Sequence, residues 1–264
     1  MRLSQALLTL TLCISSTMYA QSTEEGIAAR LFNKPLYLRG SYHEDNLHFD
    51  AAGKLLSTST PLAFTLCGVD IWKVQLQPDK LILEGKRVGI EFVGDVPKRV
   101  QLKGSGFSIK GESIHIEIDG AQDFGPALNA IFANGLADLA PSLPDYWQPY
   151  AHKHFLVPVD TAPPLKPKPK PDKSAGAITA PILIKSAEAQ WSQPAHVLRY
   201  SGSSLINFVI AKDSSLQDFS IVRPIGMGLD EQAIAAVNQY VFQPAVQNGD
   251  PIAVEINIEV HFRD

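Results

Sequence analysis

The period of hydrophobic and polar positions changes along the chain, and each change marks a predicted element. The last run is the sharpest. Ile252, Val254, Ile256, Ile258, Val260 and Phe262 alternate with Ala253, Glu255, Asn257, Glu259 and His261. A period of two sustained over that length predicts one strand with an apolar and a polar face. Upstream, Leu205–Ile210 and Phe219–Arg223 flank the polar turn Lys212-Asp213-Ser214-Ser215 and predict a hairpin. Between hairpin and last strand, Leu229, Ala233, Val237 and Tyr240 recur at helical spacing, with Ile234 and Val241 beside them and Pro244 as the expected stop. Asp230 and Glu231 fall in the first turn of that helix, where negative charge suits the positive end of the dipole. Asn248-Gly249 reads as a turn, because both residues tolerate positive φ. The predicted order of this C-terminal unit is β-β-α-β.

The N-terminal half has a different pattern. Leu36–Tyr42, Leu47–Phe49, Val69–Gln77, Lys80–Val93, Val100–Lys103 and Ser113–Asp119 are β-rich, and Gln77-Pro78-Asp79 predicts a hairpin turn between the two longest runs. Phe124, Leu128, Ile131, Phe132, Leu136 and Leu139 share one helical face, bounded by Gly125-Pro126 and by Pro141 and Pro144. The aromatic stretch Asp145–Tyr150 is expected to return across the sheet. The fold class expected is α+β: a β-rich N-terminal domain, 23–160, built as a curved antiparallel sheet with one packed helix, then a small two-layer β-β-α-β domain, 181–264.

The segments around these bodies are of other kinds. Residues 1–22 read as a secretory signal peptide: Arg2 starts it, Ala6–Ile14 is its apolar core, and Ala20 and Ser22 are small, which would free the chain at Thr23. Residues 161–180 read as a linker, with five prolines between Thr161 and Pro171 that alternate with Lys166, Lys168 and Lys170. Proline fixes φ and removes the N–H donor, so this stretch is expected to be an extended polyproline rod. The same strip carries four basic residues against one acidic, whereas both flanking bodies are mildly acidic within a net charge of −4. That distribution lacks the basic footprint of a nucleic-acid binder. With 45% hydrophobic and 19% charged residues, a wholly disordered chain is excluded, as is a polytopic membrane protein, since no long apolar run follows the N-terminus. After cleavage Cys67 would be the lone thiol, read as a small buried hydrophobe in a fold held by its cores. His152 and His154 would point the same way on a strand but have no close third ligand. No residue nominates itself as catalytic, and no cofactor or metal site is expected.

The run Gly226–Val254 resembles the C-terminal domain of the TonB family. The resemblance rests on Leu229-Asp230 at the helix start, then Tyr240, Phe242, Pro244 and Ala245 at the exit, the Asn248-Gly249 turn and the closing strand Ile252–Phe262. It spans about 80 residues, and the Lys-Pro linker before it is similar too. The departures are the cleavable-looking leader, the large β-rich body, the short linker, and Trp191-Ser192 where the family usually has tyrosine-proline.

The resemblance implies a Gram-negative envelope protein that couples an ExbB-ExbD inner-membrane motor to outer-membrane receptors and binds an extended receptor segment by strand addition. The expected reading is therefore a periplasmic, non-enzymatic TonB-like protein, or one anchored in the inner membrane through an uncleaved N-terminus. Ile252, Val254, Ile256, Ile258, Val260 and Phe262 would form the accepting strand. Leu229, Asp230, Tyr240, Phe242, Pro244, Asn248 and Gly249 would support it. A second copy could cover the same edge as a homodimer. An alternative reading is a secreted carrier whose N-terminal body holds a lipid or other small apolar ligand, near Trp72, Phe92, Phe107 and Trp147, with the TonB-like unit as a docking module. A secreted hydrolase stands behind both.

Overall fold

The computed structural model describes residues 23–102, 112–120, 123–156 and 178–263. The expected leader and most of the expected linker lie outside the described residues. The N-terminal half begins with α1 (Glu24–Leu31), whose first turn is closed by Thr23 Oγ1 accepting from Gly26 N at 3.1 Å. The elements that follow are β1 (Leu36–Leu38), β2 (Asn46–Phe49), β3 (Gly68–Leu76), β4 (Lys80–Val93), β5 (Val96–Gln101) and β6 (Ser113–Asp119). Then come α2 (Gly125–Ile131), β7 (Phe132–Asn134), α3 (Leu136–Leu139) and α4 (Gln148–Ala151). The C-terminal half contains β8 (Ile178–Thr179), β9 (Ile182–Lys185), α5 (Gln193–Val197), β10 (Gly202–Ile210), β11 (Leu216–Arg223), α6 (Leu229–Val237), β12 (Val241–Gln243), β13 (Ala245–Gln247), β14 (Asp250–Ile252) and β15 (Val254–Phe262). The chain is thus the expected α+β mixture, a β-rich body followed by a small sheet-and-helix unit.

The N-terminal sheet has seven strands in the order β2-β6-β4-β3-β1-β7, with β5 paired to the distal end of β4. Strand β4 organises it. Lys80–Lys86 pair with β6 on one side, Leu81–Val88 pair with β3 on the other, and Val88–Val93 pair with β5. The sheet is not wholly antiparallel as expected: β2 runs parallel to β6, with Leu47 opposite Ile116 and Phe49 opposite Ile118. That register puts two fully buried side chains beside the buried isoleucines of β6.

The single long helix expected over Phe124–Leu139 is interrupted. Helix α2 stops at Ile131, because Phe132–Asn134 extend to pair with β1 as the sheet's last strand. Gly135, at φ 97, then turns the chain into the four residues of α3. The aromatic stretch does fold back onto the sheet, but as a 3-10 turn (Asp145–Trp147) running into α4, not as an extended segment. Trp147 is fully buried there, edge-on to Phe64 at 4.5 Å and stacked on Phe92 at 6.1 Å.

In the C-terminal half, β11, β10 and β15 form an antiparallel sheet in that order, and the short strands β12–β9 and β14–β13–β8 form two small companions. Helix α6 buries Leu229, Ala233, Ala236 and Val237 over β10. It ends seven residues before Pro244. Val241–Gln243 pair with β9 instead, so Val241 is an exposed strand residue and not part of the helical stripe.

One contiguous apolar cluster runs through both halves. Beyond Val88, strand β3 has ended and the adjacent side of β4 has no partner from the N-terminal sheet. Residues 225–227 take that place. Phe92 N donates to Ile225 O at 3.2 Å, Met227 N donates to Ile90 O at 2.8 Å, and Glu91 faces Gly226 as an antiparallel bridge. Gly228 N then donates to Thr65 Oγ1 at 2.8 Å. Met227 is fully buried, with φ 55, and its sulfur lies where a side chain on Gly89 would need to be.

Gly226→Ala tests this seam. At φ 91, a Cβ would sit 2.2 Å from Ile90 O, so backbone must shift as well as adopt a strained conformation. The expected loss is about 3 kcal/mol or more by chemical denaturation. Gly249→Ala, at φ 93 with nothing within 4 Å of the added carbon, carries conformational strain alone and should cost about 1 kcal/mol.

Candidate partner-binding edge

The three-stranded C-terminal sheet has two edges, and they differ. Strand β11 lies against Asp145–Trp147 and α4 of the N-terminal half. Strand β15 pairs on one side with β10 over nine consecutive positions, from Gly202 opposite Phe262 to Ile210 opposite Val254. Among the described strands it has no partner on its other side. Alternate residues of an edge strand leave their N–H and C=O groups outward and unpaired, which is the arrangement that accepts another extended chain.

The structure places the predicted strand residues in two elements. Val254, Ile256, Ile258, Val260 and Phe262 lie in β15, with Val260 and Phe262 buried and the other three half-buried. Ile252 lies in β14 and is paired with Ala245. The chain leaves ladder geometry at Ala253, so the alternation continues through a break that periodicity does not register. The edge available for pairing is therefore Val254–Phe262.

The supporting residues fall where they can hold this sheet. Asn248 and Gly249, at φ 55 and φ 93, form the turn between β13 and β14. Phe242 places its ring 5.9 Å from Phe208 of β10, whose opposite number in β15 is Ile256, and Tyr240 packs 6.3 Å from Phe242. The two aromatics thus act on β15 through β10. Pro244 separates β12 from β13, where the missing N–H breaks the ladder. Trp191 stands edge-on to Phe262 at 5.7 Å and covers the end of the edge strand. Its neighbour Ser192 is buried, caps α5 by accepting from Ala195 N at 3.2 Å, and donates to Met227 O at 2.5 Å.

Leu229 and Asp230 are fully buried, and Asp230 does more than favour a helix dipole. Its carboxylate accepts from Ser204 Oγ at 2.6 Å, Ile225 N at 3.0 Å and Gly226 N at 2.7 Å. One side chain therefore ties β10, α6 and the turn that pairs with β4. Tyr200 Oη adds a bond to Ile225 O at 2.9 Å. The next residue, Glu231, accepts from Trp147 Nε1 at 2.9 Å across the seam between the halves. Burial raises both carboxyl pKa values, and the Asp230 charge raises Glu231 further, to about 7. Asp230 accepts from three donors and Glu231 from one, so Glu231 is the member of the pair that is raised further.

Other chemistry weighed on sequence takes a different form here. His152 and His154 lie on a helical turn, not a strand, and His154 stacks on Tyr150 at 4.2 Å. Cys67 is fully buried, and desolvation pushes its thiol up to about 12. His48, Glu117 and Asp119 bring one ligand atom each within 4.8 Å of the others, but Lys80 Nζ stands 2.8 Å from Glu117 and already balances it. Sequence reasoning missed the seam roles of Gly226, Met227 and Thr65, and put Trp147 near a ligand where the structure buries it in the core and bonds it to Glu231. The doubled glycine around Met227 was the local signal, since each takes positive φ against a neighbouring backbone or side chain.

The C-terminal half is a two-layer β-β-α-β unit with one sheet edge against the N-terminal half and the other unpaired among the described residues. Residues 187–263 match the family described as the Gram-negative bacterial TonB protein C-terminal. No curated protein matches the chain. Over that segment the chain is similar to the C-terminal domain of TonB, a domain of envelope transport proteins. Among the described residues, no helix is long and apolar enough to cross a membrane.

The raised carboxyl pair has a pH signature. A carboxyl whose folded pKa lies above its unfolded value contributes stability that is complete below about pH 4.5 and is lost as pH rises through about 7. Conformational stability should therefore fall from pH 5 to pH 8, on the order of 1–2 kcal/mol once partial screening at the seam is allowed for. Glu231→Gln keeps an acceptor for Trp147 and should flatten that slope, as read by urea midpoints across the range.

Proposed function

We propose that this is a periplasmic, non-enzymatic TonB-like protein that binds an extended segment of an outer-membrane receptor by adding it as a strand along Val254–Phe262. The observation that carries the proposal is the open outer side of β15 in a sheet whose other edge is covered by the N-terminal half. Main-chain groups supply the affinity, while the outward residues Glu255, Asn257, Glu259 and His261 supply the selectivity. Glu259 is held low by Ser203 and Arg223, so it presents a carboxylate already engaged by its own sheet. The N-terminal half acts as a rigid mount: β4 pairs with residues 225–227, Asp230 fixes that turn to β10, and β10 carries β15. Engagement of an ExbB-ExbD motor would need a grip upstream of Thr23. A homodimer through β15 would use the same edge and compete with the receptor segment.

Titrating the full chain with a peptide copied from a receptor's TonB-binding segment should shift the backbone amides of Val254–Phe262 and leave β11 unmoved. N-methylating the peptide at alternate residues should weaken binding at least tenfold in one phase of the alternation and hardly at all in the other, because only one set of amides faces the protein. Equal effects in both phases, or shifts confined to β11, would sink strand addition at this edge.

A further inference from the structure

A cleft of about 720 Å³ lies at the seam between the halves. One wall comes from His43–Asn46, Pro61–Ala63 and Arg87, and the other from Trp191–Pro194, Gly228 and Glu231, with Tyr146 between them. Within the described residues, four buried side-chain polar atoms have no hydrogen-bond partner: Asp45 Oδ1, Arg87 Nε, Arg87 Nη1 and Glu231 Oε2. All belong to residues that line this one cleft. Leaving such a group unpaired in the interior is costly. Gathered in three residues that line one cleft, they describe a set of contacts suited to one complementary molecule.

Arg87 is the anchor. It projects from the middle of β4 and is only 3% exposed. Its Nη2 donates to Glu44 O at 2.6 Å, no ion pair holds it among the described residues, and desolvation lowers its pKa while Asp45 opposes that. Glu44 is already committed, accepting from Ser59 Oγ and from Thr60 N at 3.0 Å. The free capacity is thus two guanidinium nitrogens, one Asp45 oxygen and one Glu231 oxygen. A charged ligand would meet one set at like charge. A hydroxyl both donates and accepts, so it satisfies Arg87 and Asp45 alike and suits Glu231 in either protonation state. Trp191 and Tyr146 add aromatic surface for the apolar faces of a ring.

We propose that this cleft binds a neutral, hydroxyl-rich small molecule, a saccharide of one or two units, held through its hydroxyls by Arg87, Asp45 and Glu231. The anchoring residues Arg87, Asp45 and Glu231 are not in β15, so the two readings are tested separately.

Saturation-transfer NMR on the full chain with cellobiose, maltose and N,N′-diacetylchitobiose as probes tests this, alongside anionic galacturonate and cationic putrescine. Transfer to at least one neutral disaccharide is expected, with affinity reduced at least tenfold by Arg87→Met. Asp45→Ala removes an acceptor whose Oδ1 bonds nothing within the described residues; it should also weaken binding tenfold and keeps the test open should Arg87→Met unfold. Absence of transfer to all three neutral probes, parent-like affinity in the folded variants, or stronger transfer to either charged probe overturns the proposal.

Discussion

Everything in the C-terminal half is positioned by one carboxylate and the turn it holds. Asp230 is fully buried and gathers Ser204, Ile225 and Gly226 around its two oxygens. Those bonds offset the desolvation of a charge that would otherwise be costly inside the fold. They also present residues 225–227 in an extended form that β4 can pair with. The glycines on each side of Met227 let that backbone approach within hydrogen-bond distance while the methionine fills the space above Gly89. Gly228 to Thr65 and Trp147 to Glu231 add two further bonds across the same seam.

That docking decides which sheet edge is left for a partner. A three-stranded sheet has two edges, and both invite pairing. Here the aromatic 3-10 turn and α4 lie along β11, and Trp147 anchors the same contact through Glu231. The N-terminal half therefore does two things for β15: it removes the competing edge, and it holds the sheet through β10. This is a physical reason for a large β-rich body to accompany a small TonB-like domain, a combination in which the departures at Trp191 and Ser192 also find a place. Trp191 covers the end of β15, and Ser192 bonds to the buried turn at Met227.

The seam stores polar groups that a purely structural interface would pair or exclude. Glu231 has the more strongly raised carboxyl of a neighbouring acid pair, and its second oxygen meets no partner within the described residues. Arg87 brings a guanidinium into the same space with two nitrogens unspent. Replacing such groups with apolar ones is often neutral or stabilising. Their presence together, in a cleft of ligand size, fits a function carried at the expense of stability.

Local pattern determined much of this. A period of two names β15 and both faces of it, the helical spacing from Leu229 names α6, and Asn248-Gly249 names a turn, because each of these reports burial or backbone freedom within a few residues. The TonB-like order was legible for the same reason. The misjudged places are those where distant chain intervenes. Phe132–Asn134 leave a good helical pattern to pair with β1, Val241–Gln243 do the same with β9, and β2 lies parallel to β6. Periodicity could not show the break at Ala253, nor that Asp230 would be a buried hub. Which edge stays open, and which polar groups come to line one cleft, depends on contacts between residues far apart along the chain. Only the tertiary structure decides that, because satisfying a hydrogen bond needs a partner in space and a sequence period counts only neighbours along the chain.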